Sequence, residues 1–116
     1  MRLMFLGDIV GKSGRDAVME NLPELKTSLN PDFIVVNGEN AADNGVGITQ
    51  NNIDEFFSCG VDVITTGNHI WDQKEIVSFI DNDKRLIRPC NYPSNTPGRG
   101  YCAYKIGNGN IISVIN

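Results

Sequence analysis

The first 69 residues show one pattern three times: a strand-length apolar run, a glycine, then polar donors. RLMFLG stops before Asp8, DFIVVNG before Glu39 and Asn40, and DVITTG before Asn68 and His69. The stops lie about 30 residues apart, the length of one strand-helix-strand unit. Strands joined over such a distance have room for a crossover helix and run parallel in one sheet. A fourth, weaker run, RLIRPC, continues the series.

The intervening segments carry helical periodicity. In SGRDAVMENLPELKTSLN, Val18, Leu22, Leu25 and Leu29 share a helix face, and Pro23 is expected to break or restart the helix. In GITQNNIDEFFSCG, Thr49 is placed to cap the N-terminus, Ile53, Phe56 and Phe57 form an apolar stripe, and Gly60 ends the helix. A third helix is expected from Asp72, where DQKE has a capping-box spacing and Ile76, Val77 and Ile80 supply the apolar face. Beyond Pro89, NYPSNTPGRG reads as a loop and YCAYKIGNGNIISVIN as two strands around a Gly-Asn-Gly-Asn turn. The fold class is α/β: a mostly parallel sheet with right-handed crossovers and flanking helices, extended by an antiparallel hairpin.

At 116 residues the chain has room for one domain. A net charge of −4 leaves no excess of Lys and Arg to neutralise a polynucleotide or an anionic membrane. A small anionic substrate is still compatible if a metal supplies positive charge. The apolar runs are strand-sized, and MRLMFLGD meets an acidic residue too early for a signal peptide, so a cytoplasmic location without membrane attachment is expected. Cys59, Cys90 and Cys102 are odd in number and lack Cys-x-x-Cys spacing, as expected of free thiols.

FLGDIVGKSG resembles a phosphate-binding loop, which requires four residues between a glycine and Gly-Lys-Ser/Thr. Only three separate Gly7 from Gly11, and the Asp8 carboxylate would repel a phosphate unless a metal lay between them. An ATP-binding loop, which would need Mg-ATP affinity dependent on Lys12, therefore ranks last. Lys12 and Ser13 become peripheral.

Ligands of parallel α/β sheets sit outside the carboxyl ends of the strands. Asp8, Glu39, Asn40, Asn68 and His69 all fall there. Each has an ordinary structural use, as a helix cap, a turn residue or a partner for loop backbone. Together, carboxylates, amides and an imidazole suit a divalent ion such as Mn²⁺, Fe²⁺ or Zn²⁺. Gly7, Gly38 and Gly67 are expected to let the backbone turn sharply toward a ligand. Lys12, Asp43 and Arg88 read as solvated or structural, and Trp71 as packing at the edge of the site.

GDIVG, NGENAA, GITQNNIDEFFSCGVDVITTGNHIWD and RPCNYPSNTPGRGY, in this order and spacing, resemble the YmdB-like branch of the calcineurin-like metallophosphoesterases. The wider superfamily uses Asp-x-His and a Gly-Asp followed by a further Asp. Here Asp8 is followed by Ile9 and Val10, and Gly38-Glu39-Asn40 stands at the second motif, replacements that the branch shares. The resemblance implies an αββα sandwich, with residues 1–116 as the N-terminal part of a single metallophosphoesterase domain. It implies hydrolysis of 2',3'-cyclic nucleotides to 3'-nucleotides by a metal-activated hydroxide, with two divalent metal ions, Fe or Mn ahead of Zn. By the same resemblance Asp8 and Asn40 bind one metal, Glu39 bridges both, Asn68 binds the second, and His69 is the proton donor. The family completes both metal shells with histidines from a later segment, whereas His69 is the sole histidine here. The chain is therefore expected to be a fragment or a truncated product, with apolar sheet surface uncovered unless a partner takes it. Expected partners are a small nucleotide phosphodiester or RNA ends, and further copies in a homo-oligomer. The alternative class is a non-catalytic nucleotide- or phosphate-binding regulatory module with an incomplete metal shell.

Overall fold

Strands β1 (Leu3–Leu6), β2 (Phe33–Asn37), β3 (Val63–Thr65) and β4 (Leu86–Ile87) pair in chain order, every pair parallel. They belong to a computed structural model that describes residues 1–107 and 109–116. The register sets Leu6 beside Val36, Asn37 beside Thr65, and Thr65 beside Ile87, so the carboxyl ends of the strands line up.

Successive strand residues face opposite sides of a sheet, and here each side has its own core. Met4, Ile34, Val36, Ile64 and Leu86 face the helices, where Leu22, Ile53, Phe56, Ile70, Ile76 and Ile80 complete a continuous cluster. Phe33, Val63 and Ile87 face the other way. Helix α1 (Gly11–Leu29) buries Leu22 fully, with Val18 and Leu25 packed beside it. Helix α2 (Gln50–Ser58) begins as the sequence predicts: the Thr49 side chain accepts from the Asn52 amide, and the Asn52 side chain accepts from the Thr49 amide. It buries Ile53 and Phe56, and Gly60 follows in the left-handed region at φ 94°.

Three expectations are corrected. Helix α1 runs through Pro23 without a break. Proline removes one helical hydrogen bond, but Pro23 lies on the exposed side, and the packing of Val18, Leu22 and Leu25 on the core holds the turns before and after it. The helix expected from Asp72 is instead two short 3-10 turns, Asn68–Trp71 and Lys74–Ser78. Ile76 and Ile80 are fully buried as expected, but Val77 is exposed, so the apolar face is too narrow to hold a longer helix against the sheet. Finally, strands β5 (Tyr101–Lys105) and β6 (Ile111–Ile115) do not extend the parallel sheet. They form a separate antiparallel pair. Tyr104 and Ile112 pack face-on against Phe33, Val63 and Ile87, because alternation gives the hairpin one apolar face to bury. The Gly-Asn-Gly-Asn turn expected between them includes Asn108, which lies outside the described residues.

The hairpin leaves part of that far face open. Leu3 and Phe5 on β1 are 56% and 65% exposed, beside a groove of about 400 Å³ that they share with Val35 and β6 residues Ile112, Val114 and Ile115. The uncovered apolar sheet surface expected from the sequence is therefore present. The three cysteines are free, and among the described residues no helix is long and apolar enough to cross a membrane.

Pro23→Ala restores the missing helical donor on an exposed turn. It is expected to stabilise the protein by about 1–3 kcal/mol, measured as a shift of the urea midpoint at constant m-value.

Candidate metal-dependent site at the carboxyl ends of the strands

Backbone bonds continue the ladder beyond the strands and draw the loops together. Ile9 N–H donates to Asn37 O at 3.2 Å, Gly11 N–H to Asn40 O at 2.8 Å, Gly38 N–H to Thr65 O at 2.9 Å, and Thr66 N–H to Ile87 O at 3.1 Å. Asp8 thus arrives beside Asn40, whose amide Nδ2 donates to Asp8 Oδ2 at 3.0 Å. The Gly7–Asp8 peptide bond is cis. From the third strand, the His69 backbone N–H donates to Glu39 Oε1 at 3.1 Å. The His69 ring Nδ1 lies 2.6 Å from Asp72 Oδ2. Asn68 is exposed at the start of the same turn, and its side chain has no hydrogen-bond partner among the described residues. The five residues singled out in the sequence therefore fall in two linked pairs, Asp8 with Asn40 and Glu39 with His69, with Asn68 adjoining the second.

The glycines serve a different end from the one expected. None of Gly7, Gly38 and Gly67 has a positive φ, so none is needed for a left-handed turn. What they supply is space. A Cβ on Gly67 would overlap the Glu39 carboxylate, and one on Gly38 would stand 2.9 Å from Ile48 Cδ1 and 3.1 Å from Ile64 Cγ2. The side chain of Glu39 lies directly over the backbone that leads into His69.

Two contributors are not apparent from the sequence. Arg15, on α1, is 7% exposed, and its guanidinium donates to Ala41 O, to Asp43 Oδ1 at 2.6 Å and to Glu55 Oε2 at 3.1 Å. It ties the segment after Asn40 to both helices. Its signal is its place one turn ahead of Val18 on the apolar stripe of α1, where a buried cation needs carboxylate partners. Asp72 has the spacing of a helix cap, but its carboxylate is on His69. The residues set aside as structural behave so: Lys12 pairs with Asp16 on the surface, Asp43 with Arg15, and buried Arg88 donates to the carbonyls of Pro89, Thr96 and Pro97. Trp71 stacks edge-on with Tyr92, ring centroids 5.8 Å apart.

The donors assembled here are hard oxygen and nitrogen groups, the type that divalent Mn, Fe and Zn accept. They are few in charged members: among the described residues no group of three or more His, Cys, Asp and Glu is disposed to hold a metal ion. The fit to a divalent ion is thus one of donor type and convergence, with carboxylate and imidazole ligands short in number. A neighbouring cleft of about 400 Å³, lined by Arg15, Asp43, Thr49, Asn52 and Gln73 among others, contains none of the five candidates.

A protein-family model described as YmdB-like protein matches residues 4–116. The chain belongs to the YmdB-like family. This YmdB-like chain is 49% identical over its full length to the 2',3'-cyclic-nucleotide 2'-phosphodiesterase of Bacillus subtilis, covering 43% of that protein. Among solved structures it superposes on a hypothetical protein from Thermus thermophilus with a TM-score of 0.90 at 35% identity, covering 99% of this chain and 44% of that one. It also superposes on a novel phosphatase from Mycoplasma pneumoniae with a TM-score of 0.80 at 35% identity, covering 88% of this chain and 37% of that one. The chain spans less than half the length of the relatives it matches. The parallel sheet, flanking helices and far-face hairpin are the calcineurin-like arrangement that the sequence motifs implied.

Two substitutions probe the geometry. Gly67→Ala is expected to push the Glu39 carboxylate aside while leaving the fold intact, because the overlapped atoms end a flexible side chain. The His69 amide, losing its acceptor, should exchange with solvent roughly tenfold faster or more in a residue-resolved hydrogen-exchange measurement. Arg15→Met, which removes three charge-assisted bonds, should cost about 1–3 kcal/mol in denaturant unfolding.

Proposed function

We propose that the protein to which this chain belongs is a metal-dependent phosphodiesterase that hydrolyses 2',3'-cyclic nucleotides to 3'-nucleotides. The observation that carries the reading is the meeting of Asp8, Asn40, Glu39 and His69 at one end of the sheet. The chain in which they meet is 49% identical to a 2',3'-cyclic-nucleotide 2'-phosphodiesterase. Asp8 and Asn40 would hold one divalent ion and Asn68 a second, with Glu39 shared by both. Fe or Mn comes first by donor type, then Zn. When bound, such ions supply charge for the phosphate oxygens and a nucleophile at neutral pH.

The chain's own residues do the rest. Asn40 holds Asp8 by its amide hydrogen, which fixes one carboxylate oxygen and leaves the other without a hydrogen-bond partner among the described residues. Glu39 is held over Gly67 by the His69 amide. His69 gives its ring proton to the departing 2'-oxygen, the part of a general acid. The net charge of −4 fits a small substrate met by metal charge rather than a long polyanion held by surface lysines.

One observation favours a second reading for the 116-residue segment taken alone: the absence, among the described residues, of three His, Cys, Asp or Glu groups disposed for a metal. On that reading the segment binds a nucleotide or phosphate without turnover.

The test is hydrolysis of 2',3'-cyclic nucleotides by the full-length protein and by this chain, with product analysis. We expect a 3'-nucleotide product, loss of turnover on chelation, and a kcat lower by roughly 10²–10⁴-fold in His69→Ala with metal still bound. Full turnover in His69→Ala would remove the proton-donor role, and nucleotide binding without turnover by this chain, beside turnover by the full-length protein, would favour the second reading for the segment.

A further inference from the structure

In a parallel ladder, a residue whose N–H donates to one carbonyl of the neighbouring strand receives, on its own carbonyl, the N–H two residues further along that strand. At the end of β3, Thr66 N–H donates to Ile87 O at 3.1 Å, so the donor in line for the Thr66 carbonyl is that of residue 89. Residue 89 is proline, which has no N–H. A backbone carbonyl among packed segments needs a partner from elsewhere.

The replacement comes from the hairpin. Asn116, directly after β6, sends its side-chain Nδ2 to Thr66 O at 2.9 Å and to Ile87 O at 3.2 Å, bridging the ends of β3 and β4 where the proline leaves the ladder open. Its backbone is held at both groups: Asn116 N–H donates to Gly100 O at 3.1 Å, and Asn116 O accepts from Cys90 N–H at 2.9 Å. The carboxamide therefore acts from a fixed point. Asn37, the last residue of β2, reaches the same Thr66 carbonyl with its Nδ2 at 3.4 Å, while its Oδ1 accepts from the Glu39 N–H at 3.3 Å. Far-face hairpin, parallel sheet and the loop bearing Glu39 are thus joined at one carbonyl. Immediately after it come Gly67, which has no side chain to restrain its backbone, and then Asn68 and His69.

We propose that Asn116 is a positioning residue: by supplying the ladder donor that Pro89 lacks, its carboxamide fixes the peptide that leads into Asn68 and His69 and so holds both at the site. Its part in the reaction rests on the reading of those two residues given under Proposed function; its hold on the turn does not. The carboxamide is not needed to dock the hairpin, because Gly100 and Cys90 anchor the end of β6 through the backbone and Tyr104 and Ile112 pack on the sheet.

The experiment uses the full-length protein and two substitutions of similar size that remove the donor, Asn116→Leu and Asn116→Asp. The amides to watch are His69, which bonds Glu39 Oε1, and Ile70, which bonds Gly67 O. In residue-resolved hydrogen exchange on metal-free protein, both are expected to exchange roughly tenfold faster or more, with the β5–β6 ladder unchanged. With a 2',3'-cyclic nucleotide, kcat is expected to fall roughly 10–100-fold and KM to stay within about threefold. Pro89→Ala returns an N–H to the ladder, and adding it to Asn116→Leu should bring exchange and kcat back to within about threefold of the unsubstituted protein. Turn amides that keep their exchange rates, a hairpin ladder that opens as much as the turn, or an unchanged kcat would overturn the positioning role. Failure of Pro89→Ala to restore either reading would overturn its origin in the missing ladder donor. Absence of cyclic-nucleotide turnover in the unsubstituted protein overturns the phosphodiesterase reading instead, and the exchange rates then decide whether Asn116 holds the turn.

Discussion

Alignment of the strand ends by the parallel ladder is the constraint on which the site depends. In a parallel sheet every strand points the same way, so the loops that leave the strands all emerge on the same edge. Here the ladder does not stop at the strand boundaries. The bonds from Ile9 to Asn37, Gly11 to Asn40 and Gly38 to Thr65 carry it into the loops. Asp8 and Asn40 meet because their backbones are paired nearby, and the same loops bring Glu39 under the His69 amide.

Packing keeps that edge in place. The helix-side core runs from Met4 across to Leu86 without interruption, and Gly38 lets Ile48 and Ile64 close directly under the loop that bears Glu39 and Asn40. Arg15 secures the continuation of that loop by joining Ala41 and Asp43 to Glu55 on α2. The far face of the sheet is less complete. Its small core of Phe33, Val63, Ile87, Tyr104 and Ile112 covers the β2 to β4 side, whereas Leu3 and Phe5 on β1 face solvent.

Much of this was legible in residue order. Apolar runs ending in glycine marked β1 to β3, and Thr49, Ile53, Phe56 and Gly60 marked both ends and the buried face of α2. The departures share a cause: a local signal does not carry its packing partners. Pro23 looks like a break until Leu22 and Leu25 are seen holding the helix to the sheet. DQKE looks like a helix start until Asp72 is seen turned toward His69. Arg15 stands on the apolar stripe of α1 without a visible partner until Glu55, some forty residues on, is seen beside it.

Residue order alone settles where the strands of the parallel sheet lie, where α1 and α2 run between them and which kind of donor each loop delivers, because periodicity and glycine placement act over a few residues at a time. Which donors touch is a matter of packing in three dimensions. Packing set Asp8 on Asn40, laid Glu39 against Gly67 and folded the His69 turn tightly enough for Asp72 to reach the ring. It also placed the hairpin on the far face rather than on the sheet edge. Those outcomes depend on register, on the 3-10 pitch and on which apolar faces remain to be covered, and these exist only once distant segments have packed.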